Sequence, residues 1–185
     1  RLKKLGNPRA RAIRYWLRQD MLQLSQQLHA EAAQKTAVRG TGATVVLALL
    51  RMDRAYIAHM GDSRAYLLRD DRLTQLTEDH SVVGLLLQCK EITEAEAAMH
   101  PARGQITRYV GMPVPVYPDV KMIVLKTGDR LLLCTDGLTG MLSDDQIEDA
   151  LKSIPDPQQA CELLVHAANE AGGKDNITVV VVNWN

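Results

Sequence analysis

LLLCTDGL, Leu131 to Leu138, is the stretch whose reading decides the fold. Four apolar residues run straight into Thr135, Asp136 and Gly137, the pattern of a buried strand that ends by presenting a carboxylate at its own mouth. A carboxylate held on a rigid strand end suits a hard cation, since the ligand needs little further ordering. Taken alone, an Asp before a Gly is an ordinary turn residue. A second arrangement of the same kind stands near the C-terminus, where Gly172, Gly173, Lys174, Asp175 and Asn176 lead into the β-branched run Ile177 to Val182, another buried strand. Two strands of one core, each with an Asp at one end, are expected to converge on one metal site.

Outward from these strands the rest of the chain falls into short elements. Asn7 and Pro8 make a helix start, and Ile13, Trp16, Leu17, Met21, Leu24 and Leu28 recur at helical spacing to about Ala33. Arg9, Arg11, Arg14 and Arg18 take other faces, where a solvated surface is a simpler account than phosphate binding. Strands are expected over Ala43 to Leu50, Ala55 to His59, Ala65 to Leu68 and Leu73 to Thr77, joined as an antiparallel meander. Glu78, Asp79, His80 and Ser81 then close a strand and place a third carboxylate, Asp79, at its end. Helices follow over Val82 to Gln88 and, with Thr93 and Glu96 as a capping box, to Met99, ahead of a polar loop from Ala102 to Val110. Val120 to Leu125 and Arg130 to Cys134 read as a hairpin about Thr127, Gly128 and Asp129. Ser143 with Gln146, and Asp156 with Pro157, open two more helices. Strand blocks alternating with helix blocks argue for an α+β sandwich with antiparallel sheets.

Composition removes several classes. Lys plus Arg and Asp plus Glu are 22 each and the pI is about 7.1, so charge gives no reason to expect nucleic acid or an anionic membrane. The longest apolar run, Ala43 to Leu50, is too short to span a bilayer, and a cytoplasmic location is expected. Cys89, Cys134 and Cys161 lack paired ligand spacing and read as free thiols of a reducing compartment. A chain of 185 residues suits a single domain over residues 1–185.

Seven motifs in series carry a family resemblance. AHMGDSRAYLL at Ala58 to Leu68, LTEDHS at Leu76 to Ser81, EIT with EA at Glu91 to Ala97, HP at His100, ITR at Ile106, LLLCTDGL at Leu131 and GGKDNITVVVV at Gly172 together resemble the bacterial branch of the PPM/PP2C metal-dependent serine/threonine protein phosphatases, from about Thr41 to the end. The resemblance implies a four-layer α-β-β-α sandwich of two antiparallel sheets flanked by helices, with two, and in bacterial members three, Mn²⁺ or Mg²⁺ ions at one end. By residue, it makes Asp136 and Asp175 ligands of the first metal and Asp79 with Asp136 ligands of the third, while Asn176 positions a water. The implied catalytic set is therefore Asp136, Asp175 and Asn176. It assigns Gly61 to Arg64 to the turn beneath the site and Ile92 to Arg108 to a flap at the substrate entrance. The implied reaction is hydrolysis of phosphoserine or phosphothreonine by a metal-activated water, two ions roughly 4 Å apart neutralising the phosphoryl oxygens. The implied partners are phosphoproteins and a cognate Ser/Thr kinase.

The chain departs from the family in one respect that bears on activity. The N-terminal family pattern, an Arg, an Asp-Gly that bridges the metals and a Gly-Gly-His, is not found, and no Asp-Gly precedes Thr41. The expectation is a domain incomplete at its N-terminus, its leading strands missing and one sheet edge unpaired, and inactive by itself; the opening Arg1 favours a fragment. The alternative is a pseudophosphatase that keeps the sandwich as a binding or regulatory module, although such a module has no need of Asp79, Asp136 and Asp175 together. Asp62 reads as a turn former outside the metal set. His59, His80 and His100 read as structural histidines, and Arg64 and Arg108 serve equally as phosphate contacts or salt bridges. Lys90 and Asp71 stand where the family commonly has Gly.

Overall fold

The structure, a computed structural model, describes residues 10–34 and 40–185. In chain order it contains α1 (Ala10–Gln34), β1 (Val45–Arg51), β2 (Arg54–Met60), β3 (Arg64–Arg69), β4 (Arg72–Gln75), α2 (Val82–Gln88), α3 (Glu94–Met99), β5 (Asp119–Val124), β6 (Arg130–Cys134), α4 (Asp136–Thr139), α5 (Asp144–Ser153), α6 (Pro157–Glu170) and β7 (Val179–Asn183). The expected helix start at Asn7 and Pro8 lies outside the described residues. No helix among those described is long and apolar enough to cross a membrane.

The strands form two antiparallel sheets, in the orders β1-β2-β5 and β4-β3-β6-β7. Side-chain alternation makes the layers. Ala55 and Ile57 of β2 meet Ala65 and Leu67 of β3 and Leu131 of β6 in the space between the sheets. Tyr66, Leu68, Leu132 and Cys134 point the other way and are covered by Leu138, Ile147, Leu151 and Leu164 from α4, α5 and α6. On the far side, Ala58 and Met60 of β2 and Val120 of β5 pack against Met21 of α1. Strands buried on both faces need apolar residues at every position, hence continuous runs such as Leu131 to Cys134; each fully buried Leu or Ile contributes about 2 kcal/mol. The result is the four-layer α-β-β-α sandwich with both sheets antiparallel.

Two local expectations are corrected. The four strands from Ala43 to Thr77 are not one meander, because β1 pairs with β2 and β3 pairs with β4 in different sheets. The chain changes sheet at Gly61 to Ser63, where Gly61 has φ +112° and a Cβ would lie 2.4 Å from the Thr44 side chain. Likewise β5 and β6 form no hairpin: β5 pairs with β2, and β6 lies between β3 and β7. Their connection crosses between sheets and is held by Asp129, which accepts from Arg69 at 2.5 and 2.8 Å and from the Lys126 amide at 2.7 Å. In both cases two apolar faces per strand satisfy a sandwich as readily as a hairpin, and the alternation alone does not distinguish them.

The helix signals are realised as hydrogen bonds. Thr93 with Glu96 and Ser143 with Gln146 form complete capping boxes, and Asp156 caps α6 ahead of Pro157. One α1 position differs from the apolar stripe: Leu24 is 48% exposed, while Ser25 turns inward to accept from the Gly111 amide at 2.9 Å. Asp71 and Lys90 have φ of +58° and +57°, the left-handed conformation that Gly adopts without cost.

Candidate active site at the acidic end of the sandwich

Asp136 begins α4 immediately after β6, and Asp175 and Asn176 precede β7, the strand paired with β6 through Cys134 and Val179. The expected convergence of the two strand ends therefore occurs. Thr135 ties them together: its amide donates to the Thr178 carbonyl at 3.1 Å, its hydroxyl donates to the Asn176 carbonyl at 3.3 Å, and it accepts from the Thr178 amide at 3.0 Å. Gly137 makes the approach possible, since a Cβ there would stand 2.2 Å from the Asn176 carbonyl oxygen. Asp136, Asp175 and Asn176 are all exposed, and the Asp175 carboxylate accepts from the Asn176 amide at 2.7 Å, which fixes its direction.

Two further carboxylates reach the same end. Asp62, in the turn between β2 and β3, is half-buried and feels the charge of Asp136. Burial, and after it that like charge, push the Asp62 carboxyl up to about 6; Asp79 adds to the rise, while its own amide and Arg64 oppose it. Asp79 is held by Arg64, whose Nε donates to its two oxygens at 2.9 and 3.1 Å and whose Nη2 donates at 2.7 Å. Arg64 is itself steadied by Tyr66, whose hydroxyl donates to Asp144 at 3.1 Å. Arg64 is thus a carboxylate clamp in this structure. In sequence Asp62 reads as a turn former, because the proximity of Asp136 is a tertiary fact; a Gly-Asp pair closing a buried strand, the reverse of the Asp-Gly at Asp136, is the available signal.

The histidine expectation holds for the buried pair. His59 and His80 stack with ring centroids 4.4 Å apart. His59 donates from Nε2 to the Glu78 carbonyl at 2.8 Å. Nδ1 of His80 accepts from the Gly61 amide at 3.2 Å, so Nε2 carries the proton and donates to Asp119 at 3.0 Å. Burial lowers both rings, His80 to about 4, and both are neutral at pH 7. Asp119 also accepts from Arg108 at 3.0 Å, and these bonds hold its carboxyl low against the opposing effect of burial. The pair thereby joins the Asp62 turn to β5 and to the base of the 92–108 loop. Among the described residues, His59, His80 and Asp119 bring ligating atoms within 4.8 Å of one another. Both nitrogens of His80 are already engaged in the fold, so this trio serves hydrogen bonding. The half-buried carboxylate Asp62 and the exposed Asp136 and Asp175 are the donors of the hard-cation type. His100 stands apart, accepting from the Ala102 amide at 3.1 Å.

Comparison with known proteins gives the same direction. The protein phosphatase 2C family model matches residues 1–168. The chain is 39% identical over 176 residues to the serine/threonine phosphatase stp of Listeria welshimeri, covering 95% of this chain and 70% of that protein. Among solved structures, the S. agalactiae serine/threonine phosphatase superposes with a TM-score of 0.91 at 34% identity, covering 98% of this chain and 74% of that one. The catalytic domain of the phosphatase PstP, solved in complex with 2 manganese ions, superposes with a TM-score of 0.77 at 37% identity over 85% of this chain and 65% of its own. Sheet order, acidic end and sequence likeness agree, and the chain belongs to the protein phosphatase 2C family of serine/threonine phosphatases.

Proposed function

We propose that residues 1–185 form one domain that serves in metal-dependent hydrolysis of phosphoserine and phosphothreonine in proteins, in the cytoplasm and opposite a Ser/Thr kinase. The observation that carries the reading is the convergence of the Asp136 and Asp175 strand ends at one exposed end of the sandwich, with the half-buried Asp62 near enough to feel the charge of Asp136, an arrangement of like charges that a divalent cation offsets. Their all-oxygen chemistry fits Mn²⁺ or Mg²⁺, and PstP with its manganese ions supports that choice. Asp136 and Asp175 are the ligands of the first ion, Asp136 is shared with Asp79 toward a third, and Asp62 is added here as a ligand facing Asp136. When bound, the cations supply a lowered water pKa and charge neutralisation at a transferring phosphoryl group.

The chain's own residues act by placement. Thr135 keeps the Asp136 and Asp175 strand ends in register, the Asn176 amide fixes the Asp175 carboxylate, and Asn176 is assigned the orienting of a water. Arg64 fixes the direction of Asp79 and offsets its charge. No side-chain nucleophile is required, in keeping with a direct attack by water. The pseudophosphatase alternative draws no support from relatives that are named phosphatases. The test is phosphate release from a phosphothreonine peptide by the protein as its natural gene encodes it, with Mn²⁺ titrated calorimetrically in parallel. Release that requires Mn²⁺ and disappears in Asp136→Asn supports the proposal; Mn²⁺ binding without release restores the pseudophosphatase reading, and no Mn²⁺ binding refutes the metal site.

A further inference from the structure

A groove of about 720 Å³ lies between α1, α2 and the 113–118 segment, lined among others by Tyr15, Arg18, Leu85, Arg108, Pro115 and Tyr117. Tyr15, Leu85 and Tyr117 are 60%, 47% and 53% exposed, so three of the large apolar side chains that the fold leaves uncovered meet in one concavity. The charge around it is one-sided. Arg18 lines the groove, and Arg11 and Arg14, exposed on the same stretch of α1 at spacings of seven and four residues from it, stand beside the groove without lining it. They make no ion pair among the described residues. On the other wall, Arg108 donates to the Tyr117 carbonyl at 3.1 Å and to Asp119 at 3.0 Å. Asp119, the carboxylate lining this groove, is already engaged by His80 and Arg108. A chain with 22 cations and 22 anions thus gathers an excess of cations at an apolar groove.

The groove also has a defined relation to the acidic end. Asp119 pairs with His59 at the end of β2 from which Gly61 and Asp62 follow. The hydrogen bonds from Arg108 through Asp119 and His80 to the Gly61 amide connect the groove wall to the turn that carries Asp62. A polypeptide whose phosphorylated residue sits at the carboxylates therefore passes this groove if it continues along α1, the helix that covers the outer face of the β1-β2-β5 sheet.

We infer that this groove docks an acidic segment of the phosphoprotein substrate, bearing an aromatic or aliphatic anchor and lying apart from the phosphorylated residue. The inference rests on the phosphatase reading for the identity of the partner. The anchor fills the space between Tyr15, Leu85 and Tyr117, and carboxylates of the segment meet Arg11, Arg14 and Arg18. Apolar burial supplies the affinity, and the arginines supply orientation and on-rate. Selection among phosphoproteins then depends on sequence beyond the scissile phosphate, and a small phosphate ester gains nothing from the groove.

The test is direct binding by fluorescence anisotropy in EDTA, which makes no use of turnover. The probe is a labelled phosphothreonine peptide extended by a run of Glu around a Leu and a Phe; the controls replace Glu by Gln or Lys, or Leu and Phe by Ser. Expected is an affinity about tenfold higher for the acidic, anchored peptide, lost in both Arg18→Glu and Tyr117→Ser and weakened by salt. Equal affinity for the Glu and Lys peptides, or binding unchanged in both variants, overturns the inference. So does a concentration-dependent dimer abolished by Tyr117→Ser, which would make a second copy the occupant. Mn²⁺-dependent phosphate release from the same peptides by the protein as its natural gene encodes it separates the two readings. Release without groove-dependent binding sinks the groove alone, and groove-dependent binding without release sinks the phosphatase reading alone.

Discussion

Replacing Asp62 by Asn removes the charge that the fold accommodates least well. In the folded protein the Asp62 carboxyl is raised from its ordinary 3.8 to about 6 by burial and by Asp136. A rise of that size corresponds to a ceiling of about 3 kcal/mol. Asp62 is only half-buried, so solvent screening brings the figure to about 1.5 kcal/mol. The sign follows from proton binding: the folded state holds this proton to higher pH than the unfolded state does. Stability is therefore fully present below about pH 4 and declines as pH rises through about 6. Asn cannot ionise, so the metal-free Asp62→Asn protein escapes the decline. Calorimetry in EDTA at pH 7.5 is expected to place its Tm about 3–6 °C above wild type, with the two converging near pH 4. Saturating Mn²⁺ should raise the wild-type Tm and close the gap, because a bound cation takes the place of the proton. Equal Tm values at pH 7.5 in EDTA, or a lower one for the variant, would refute the claim that burial and the charge of Asp136 raise the Asp62 carboxyl.

Asp136→Asn, which removes a charged ligand proposed to be shared by two sites, should weaken Mn²⁺ affinity strongly with circular dichroism unchanged; an unaltered Mn²⁺ titration counts against the ligand role. Gly137→Ala places a methyl against the Asn176 carbonyl, and a loss of about 2–3 kcal/mol in urea unfolding is expected, together with weaker Mn²⁺ binding. Arg69→Ala leaves the Asp129 carboxylate, 2% exposed, with the Lys126 amide as its remaining donor, for a cost of about 2 kcal/mol at pH 7. Since the Arg69 bonds outweigh burial and hold Asp129 below its ordinary value, that cost should shrink as pH falls through the carboxylate range, and a pH-independent difference would contradict it. Lys90→Gly relieves a left-handed backbone at φ +57° and should raise stability by about 0.5–1 kcal/mol; a destabilised variant would show that the Lys side chain does more than turn the chain.

Much of this protein was legible in one dimension. The strand from Leu131 to Cys134 ending at Asp136 and the caps at Thr93, Ser143 and Asp156 are local patterns, and each appears in the structure where the residues place it. The β-branched run after Asn176, expected to be a buried strand from Ile177 to Val182, instead forms β7 from Val179 at the edge of its sheet, half-buried and with Val180 48% exposed, because no strand among those described covers its outer side. The pairing of the Asp136 and Asp175 strand ends was also foreseeable, since both strands are apolar throughout and belong to one core. The family's motif order added the two-sheet sandwich and its helical layers.

Other features depend on which residues meet across the fold. Asp62 looks like any turn Asp until the β2–β3 crossing sets it beside Asp136, and Asp79 looks like a free ligand until Arg64 closes on it. The exchange of strands between sheets at Gly61 and at Asp129 was equally hidden, because a strand buried on both faces carries the same residues whichever neighbour it takes. The sequence by itself determined where strands and helices begin, which faces are apolar and which carboxylates stand at strand ends, all of which follow from residue periodicity and capping chemistry. Only the tertiary structure decided which carboxylates face each other and which are neutralised, because charge interaction depends on distance through space and the chain brings together residues far apart in order.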